Sequence, residues 1–106
     1  MVKKRLAVIG GGASGTVAAI EAKREFPQAE VVIFEKKPMA CKKILVTGNG
    51  RCNITNKNIE LSRYHGEDVG FADYALNKYP NTKAEIFFSN IGVLFTFEGD
   101  KAYPYS

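Results

Sequence analysis

The sequence predicts an α/β fold built around one βαβ unit near the N-terminus. Between Arg5 and Glu35 the chain has a short apolar run, a glycine-rich turn, a helical segment, a breaker at Pro27 and a second apolar run ending in an acid. A helix between two strands is the usual connection for parallel pairing. Because a doubly wound domain usually contains more parallel strands than two, we interpret the 106-residue chain as an incomplete one.

The turn after the first strand has the spacing GxGxxG, formed by Gly10, Gly12 and Gly15. Gly10 permits a tight turn, Gly12 removes a Cβ that would strike a phosphate, and Gly15 lets the helix lie close to the strand. A helix starting near Ala13 or Ser14 would direct free N–H groups and its positive dipole end at a diphosphate. Ser14 could cap this helix or contact a phosphate oxygen.

Glu35 follows the second strand, 20 residues after Gly15. An acid there can accept both hydroxyls of an adenosine ribose and would repel a 2′-phosphate, which favours FAD or NAD over NADP. A glycine-rich turn can also be purely structural. The agreement of strand, turn, helix, second strand and acid favours a dinucleotide site.

The helix is predicted to pack on the sheet through a stripe of mostly small residues at helical spacing. This stripe consists of Gly15, Ala18, Ala19, Ala22 and Phe26. Val17 and Ile20 are predicted to lie on the opposite side, as an apolar surface that an isolated βαβ unit would leave exposed.

Composition narrows the classes of partner. The net charge of +4 is spread over the chain without the aromatic interleaving of a nucleic-acid surface, so we expect a small-molecule substrate and no nucleic acid. No apolar segment is long enough for a signal peptide or membrane span, which predicts a cytoplasmic protein without a membrane partner. Cys41 and Cys52 are expected to stay unpaired thiols, and His65 as the sole histidine argues against a zinc site.

The segment after Glu35 has two interpretations. Residues 36–41 form a predicted loop, Ile44–Val46 is too short to classify, and residues 47–50 form a turn. Polar side chains follow at Arg51, Asn53, Thr55 and Asn56. The residues alone fit a hydrogen-bonded loop and a second cofactor contact equally well.

The second half of the chain predicts a small α+β region. Residues 57–70 are mostly polar and irregular, and His65 is predicted to be a solvated loop residue. Predicted elements are helices at Asp73–Tyr79 and Thr82–Ile91, with Gly92 as a stop, and an antiparallel pair, Val93–Glu98 with Lys101–Tyr105, across Gly99 and Asp100. The apolar stripe of Ile86, Phe87, Phe88 and Ile91 is better explained by core packing than by a substrate box.

The combination of GGGASG, FEK and TGNGRCNITN resembles the bacterial FAD-dependent oxidoreductases of the aminoacetone-oxidase-like family, over essentially the whole chain including KAYPYS. The resemblance implies that the first motif binds the ADP half of FAD and that the TGNGRCN loop extends toward the flavin. It implies contacts at the ADP end from Gly10, Gly12, Ala13, Ser14, Gly15, Glu35 and Lys36. Nearer the flavin it implies Lys43, Gly48, Gly50, Arg51, Cys52 and Asn53.

Two positions depart from the family pattern. Cys41 stands where the family commonly has a glycine, and Asp100–Lys101 stands where Gly-Arg is usual. Family members are several times longer than this chain. The resemblance therefore implies an FAD-binding segment at residues 1–60 and, at residues 61–106, a connection and a small α+β segment leading toward a substrate domain.

The resulting hypothesis is an oxidoreductase that passes electrons between a small organic substrate and FAD, with oxygen or NAD(P)H as the partner in the other half-reaction. The flavin ring itself performs the redox chemistry, so no catalytic acid or base is assigned. Arg51 is the predicted cation near the reduced flavin. The alternative is a truncated, non-catalytic remnant that binds nucleotide weakly or not at all and tends to self-associate.

Overall fold

A computed structural model describes residues 3–105. The chain divides into two compact units, residues 1–50 and residues 51–106. The predicted boundary lay at residue 60. Residues 51–60 instead belong to the second unit, because this stretch contains a strand that pairs with the last strand of the chain. The assignment of residues 1–60 as the cofactor-binding segment stays a prediction.

The first unit contains the predicted βαβ unit and confirms the α/β fold. Its elements are β1 (Arg5–Ile9), α1 (Ala13–Glu25) and β2 (Glu30–Phe34). The two strands are parallel, with a register running from Arg5 opposite Glu30 to Ile9 opposite Phe34. Beyond the end of α1, Lys23 Nζ donates to the carbonyls of Pro27 and Ala29 at 2.9 and 2.7 Å, which ties the helix to the connection into β2.

Small residues bring α1 close to the sheet, as predicted. Ala19 is buried, and a Cβ added at Gly15 would lie 1.9 Å from the carbonyl oxygen of Gly10, so only glycine fits there. The predicted stripe holds only in part, because Ala18 and Phe26 are exposed. The predicted position of Ile20 was wrong: its side chain is half-buried and lines an open groove beside β2, rather than facing away from the sheet.

The rest of the first unit is irregular apart from one 3₁₀ helix. The predicted loop follows β2, and the apolar run that the sequence left unclassified forms a 3₁₀ helix at Lys42–Val46. Cys41 precedes it with a left-handed φ of 57°. The predicted turn follows at residues 47–50, where Gly48, Asn49 and Gly50 have φ values of 55°, 54° and 79°.

The second unit contains an antiparallel sheet of three strands in the order β3-β5-β4. These strands are β3 (Thr55–Asn56), β4 (Phe95–Glu98) and β5 (Lys101–Pro104). The predicted hairpin is confirmed, with Glu98 opposite Lys101 across Gly99 and Asp100. Strand β3 was not predicted, and it pairs through Thr55 with Ala102 and Asn56 with Lys101.

Two helices accompany this sheet, close to their predicted bounds. They are α2 (Asp73–Lys78) and α3 (Asn81–Asn90), preceded by 3₁₀ helices at Leu61–Arg63 and Val69–Ala72. Gly92 ends α3 as predicted: its φ is 90°, and the N–H of Val93 reaches back to the carbonyl of Phe88 at 2.9 Å. Within the apolar stripe Phe88 packs edge-on against Phe95, with ring centroids 6.3 Å apart, whereas Ile86 and Ile91 are exposed. Across residues 3–105, no helix is long and apolar enough to cross a membrane.

Candidate dinucleotide-binding site

The glycine turn leaves open space where the motif requires it. Gly10 has a φ of 98°, and its N–H donates to the carbonyl of Phe34 at 2.8 Å, which joins the turn to the end of β2. Gly12 is the N-cap of α1 in an extended conformation, and no atom lies within 4 Å of a Cβ added there. The structure thus keeps the region beside Gly12 clear of protein atoms.

The N-terminus of α1 has uncapped donors. The first backbone bond at this end runs from the N–H of Thr16 to the carbonyl of Gly12 at 3.0 Å. The N–H groups of Ala13, Ser14 and Gly15 precede it and have no acceptor within the helix. No side chain caps this end, so Ser14 lies in the first turn without the capping role considered from the sequence. Free N–H groups at the positive end of a helix favour an anion.

Gly11, which the motif leaves unspecified, is hydrogen-bonded through both its N–H and its carbonyl. Its N–H donates to Glu35 Oε1 at 2.9 Å, and its carbonyl accepts from the N–H of Cys41 at 2.7 Å. The residue is buried, and a Cβ added there would lie 3.3 Å from both the Cβ of Glu35 and a methyl carbon of Ile33. The sequence signal that could have identified Gly11 is its place in an unbroken run of three glycines, where the motif requires only the first and the last.

Glu35 lies beside this turn, at the end of β2. Its Oε2 accepts the N–H of Lys37 at 2.8 Å, so each carboxylate oxygen has a backbone donor. Hydrogen bonds from the backbone of Lys37 and of Gly11 hold the pKa of the Glu35 carboxyl below its usual value. The carboxylate is therefore ionised at neutral pH, and its side chain remains exposed to solvent.

Cys41 contacts the same turn from the following loop. Its Sγ lies 3.3 Å from the Oγ1 of Thr16 and 4.0 Å from the carbonyl oxygen of Gly12. Thr16 Oγ1 also donates to the carbonyl of Gly11 at 3.5 Å. Neither Cys41 nor Thr16 was assigned to the ADP end from the sequence, because their proximity to the turn depends on the path of the loop.

The structure distributes the remaining predicted residues over both units. Lys36 directly follows Glu35, Lys43 lies in the 3₁₀ helix, and Gly48 and Gly50 lie in the next turn of the first unit. Arg51, Cys52 and Asn53 open the second unit. Their roles toward a flavin stay predictions.

Within the second unit, Arg51 is engaged by the hairpin. Its Nη1 and Nη2 donate to the two carboxylate oxygens of Glu98 at 2.8 and 2.7 Å, and its guanidinium lies 4.2 Å from the ring centroid of Tyr103. The hydrogen-bonded partner raises the pKa of Arg51 and lowers the pKa of Glu98. The sequence analysis missed both partners, although the strand alternation placed Glu98 at the hairpin end.

Backbone carbonyls anchor the residues after Arg51. With its amide nitrogen directed at the carbonyls of Ala102 and Thr55, Asn53 donates to them at 3.2 and 3.1 Å. Cys52 has a left-handed φ of 59°. These contacts fit the hydrogen-bonded-loop interpretation of Arg51–Asn53, and a cofactor contact would be additional to them.

The parallel βαβ unit, the open glycine turn, the uncapped helix N-terminus and the ionised acid define a dinucleotide-binding domain of Rossmann type. Residues 4–106 match the family described as the HI0933-like protein Rossmann domain. The chain belongs to this family, which is one of FAD-binding oxidoreductases.

Named relatives agree with this membership. The chain is 47% identical over 102 residues to a 3-dehydro-bile acid delta(4,6)-reductase of Clostridium scindens, matching 96% of this chain and 25% of that protein. It is 31% identical over 74 residues to a ribosomal RNA dihydrouridine synthase of Haemophilus influenzae, and 33% identical over 72 residues to one of Escherichia coli. Those matches cover 70% and 68% of this chain and 18% of each synthase. The chain therefore spans about a quarter or less of the length of these relatives.

Proposed function

We propose that this chain is the N-terminal portion of an FAD-dependent oxidoreductase of the aminoacetone-oxidase-like kind, and that its first unit binds the ADP half of FAD. The observation that carries the proposal is an open, uncapped helix N-terminus next to an ionised carboxylate that accepts the N–H of Gly11, the residue before the helix N-cap. The TGNGRCN loop, residues 47–53, would extend toward the flavin.

The hydrogen-bonding groups of the first unit match the diphosphate and the adenosine ribose of FAD. The N–H groups of Ala13 and Ser14 would hold the diphosphate, and the clear space at Gly12 would admit it. Glu35 would accept the adenosine ribose hydroxyls, and its negative charge would disfavour the 2′-phosphate of NADP in this position. When bound, the flavin ring would carry the electrons.

The proposed reaction is electron transfer to or from a small organic substrate, with NAD(P)H as the candidate electron donor. The relative that matches almost the whole chain is named as a reductase of a bile-acid intermediate, whereas the synthases named for ribosomal RNA match about two thirds of it at lower identity. We therefore propose a small-molecule substrate, with neither nucleic acid nor membrane as a partner. We further propose a cytoplasmic setting, where the unpaired thiols of Cys41 and Cys52 would stay reduced.

The test compares Gly12→Val with its parent in the product of the complete reading frame that contains this chain. A Cβ added at residue 12 meets no protein atom within 4 Å, and the φ there is an ordinary −79°, so the valine variant should fold, but its side chain would occupy the space proposed for the diphosphate. We expect the parent to purify with about one FAD per chain and the variant to lose it, with an unchanged helical circular-dichroism signal.

Gly66→Val is the matched control. Gly66 also has open surroundings and no left-handed φ, but it lies in the second unit, away from the turn in sequence, and should retain FAD. A Gly12→Val protein with the parent's flavin content would refute the site. A parent that folds and binds neither FAD nor ADP would instead favour the non-catalytic remnant.

A further inference from the structure

Both backbone polar groups of Gly11 are hydrogen-bonded, so the peptide groups on either side of this residue are held. Glu35 Oε1 accepts its N–H at 2.9 Å, and the N–H of Cys41 binds its carbonyl at 2.7 Å. The residue is buried against Ile33 and Ala40, which leaves it little room to rotate. Gly11 shares one peptide group with Gly10 and the other with Gly12. The orientation of these two groups sets the direction in which the turn enters α1.

The Gly11 N–H is already hydrogen-bonded within the protein. It donates to Glu35, and the Gly10 N–H donates to Phe34, so both are used within the protein. The donors left for an anion begin after Gly11, at the N-terminus of α1. Glu35 therefore influences which donors face a diphosphate, without touching it.

We propose that Glu35 is a positioning residue for the diphosphate-binding turn, in addition to the ribose contact assigned to it above. Through Gly11 it would hold the helix N-terminus in the binding orientation before the nucleotide arrives. This inference rests on the proposed function and deepens it, since one carboxylate would couple recognition of the ribose to recognition of the diphosphate.

The chemistry of the carboxylate permits both roles together. An ionised carboxylate offers about four lone-pair sites, and the backbone donors of Gly11 and Lys37 use one on each oxygen. The remaining sites are available to ribose hydroxyls. The Lys37 ammonium contributes an attractive charge at this carboxylate. Alanine in place of Glu35 removes both acceptors, whereas the one oxygen of glutamine could still accept the Gly11 N–H.

Two ligands separate the two roles in the flavin-free product of the complete reading frame. ADP carries both the diphosphate and the ribose hydroxyls, whereas dideoxy-ADP lacks those hydroxyls. We expect Glu35→Ala to weaken binding of both ligands, by about tenfold for dideoxy-ADP, the size expected for one lost charge-assisted hydrogen bond. Glu30→Ala is the control, because Glu30 lies on the same strand but pairs with Arg5 at the surface. It should bind both ligands like the parent.

Equal affinity of parent and Glu35→Ala for dideoxy-ADP, with loss only for ADP, would overturn the positioning role and leave the ribose role intact. A parent that binds neither ligand would refute the proposed function instead. Hydrogen–deuterium exchange of the ligand-free turn tests the positioning role independently of nucleotide binding. Faster exchange of the Gly10–Gly15 peptide in Glu35→Ala than in Glu30→Ala supports positioning, and unchanged exchange overturns it.

Discussion

Cys41 adopts a backbone conformation that glycine adopts more readily. Its φ of 57° lies in the left-handed region, where a Cβ costs about 1 kcal/mol. The resemblance described in the sequence analysis implies a glycine at this position, and a left-handed φ is a conformation that favours glycine. The Cys41 thiol in turn contacts Thr16 Oγ1 at 3.3 Å, an interaction that glycine would lose.

Cys41→Gly should therefore stabilise the protein slightly, by up to about 1 kcal/mol, because relief of the left-handed conformation outweighs one thiol contact. Cys41→Ala is the matched variant, since it loses the same contact and keeps the strained φ. Urea denaturation of both variants measures the difference. If the alanine variant is as stable as the glycine variant, the left-handed φ at residue 41 does not lower the free energy of unfolding.

Contacts of single residues were the least predictable part of the site. The spacing of glycines and the acid at residue 35 predicted the turn and its open space at Gly12, because these follow from local backbone requirements. The two hydrogen bonds of Gly11 could not be predicted, since the bond from Cys41 depends on how the loop from Lys36 to Cys41 folds back onto the turn. The engagement of Arg51 by Glu98 was missed for the same reason: 47 positions separate the two residues.

Among the secondary-structure elements, those with strong local signals were predicted and those formed by distant pairing were not. The β1-α1-β2 unit and the β4–β5 hairpin follow from apolar runs, glycine turns and short loops. Strand β3 has only two residues, and it exists because Ala102 and Lys101 provide its partners. Cys52 and Ile54 alternate with polar residues in this stretch, but two apolar positions are too few to predict which strand it pairs with.

The Arg51 contacts link the chain before β3 to both strands of the hairpin, since Glu98 lies on β4 and Tyr103 on β5. A bidentate pair that also stacks on a ring is better placed to stabilise than an ordinary surface pair. We expect Arg51→Ala to lower the urea midpoint more than Arg24→Ala, which removes a single bond to Glu21 at 3.1 Å on α1.

The effect of salt on stability distinguishes the Arg51–Glu98 ion pair from the stacking of Arg51 on Tyr103. The charge–charge part should weaken at high salt, while the stacking on the buried ring of Tyr103 should persist. Coupling between Arg51 and Glu98, measured by a double-mutant cycle, should thus fall as salt is added. A cycle with no coupling at low salt would show that the Arg51–Glu98 pair does not stabilise the hairpin.

At the scale of the whole molecule, the chain buries little apolar surface for its length. Among residues 3–105 the buried hydrophobic residues are Ala19, Ala29, Ala102 and Tyr103, and no large side chain is fully buried. In the first unit α1 covers one face of the sheet. On the other face, the cross-strand pair of Ile9 and Phe34 is 82% and 57% exposed. Exposed strands and apolar faces of this kind promote association.

We therefore predict that residues 1–106 expressed alone are marginally stable, self-associate and retain little or no FAD. The relatives are about four times as long as this chain, and a doubly wound sheet contains more parallel strands than β1 and β2. Light scattering after gel filtration, together with flavin absorbance, measures both properties. Phe34→Lys should reduce the mass toward that of the monomer by placing a charge on the exposed face, whereas Thr82→Lys, an exposed polar position on α3, should not. A monodisperse monomer that holds one FAD tightly would show that these two units suffice for a stable binding domain.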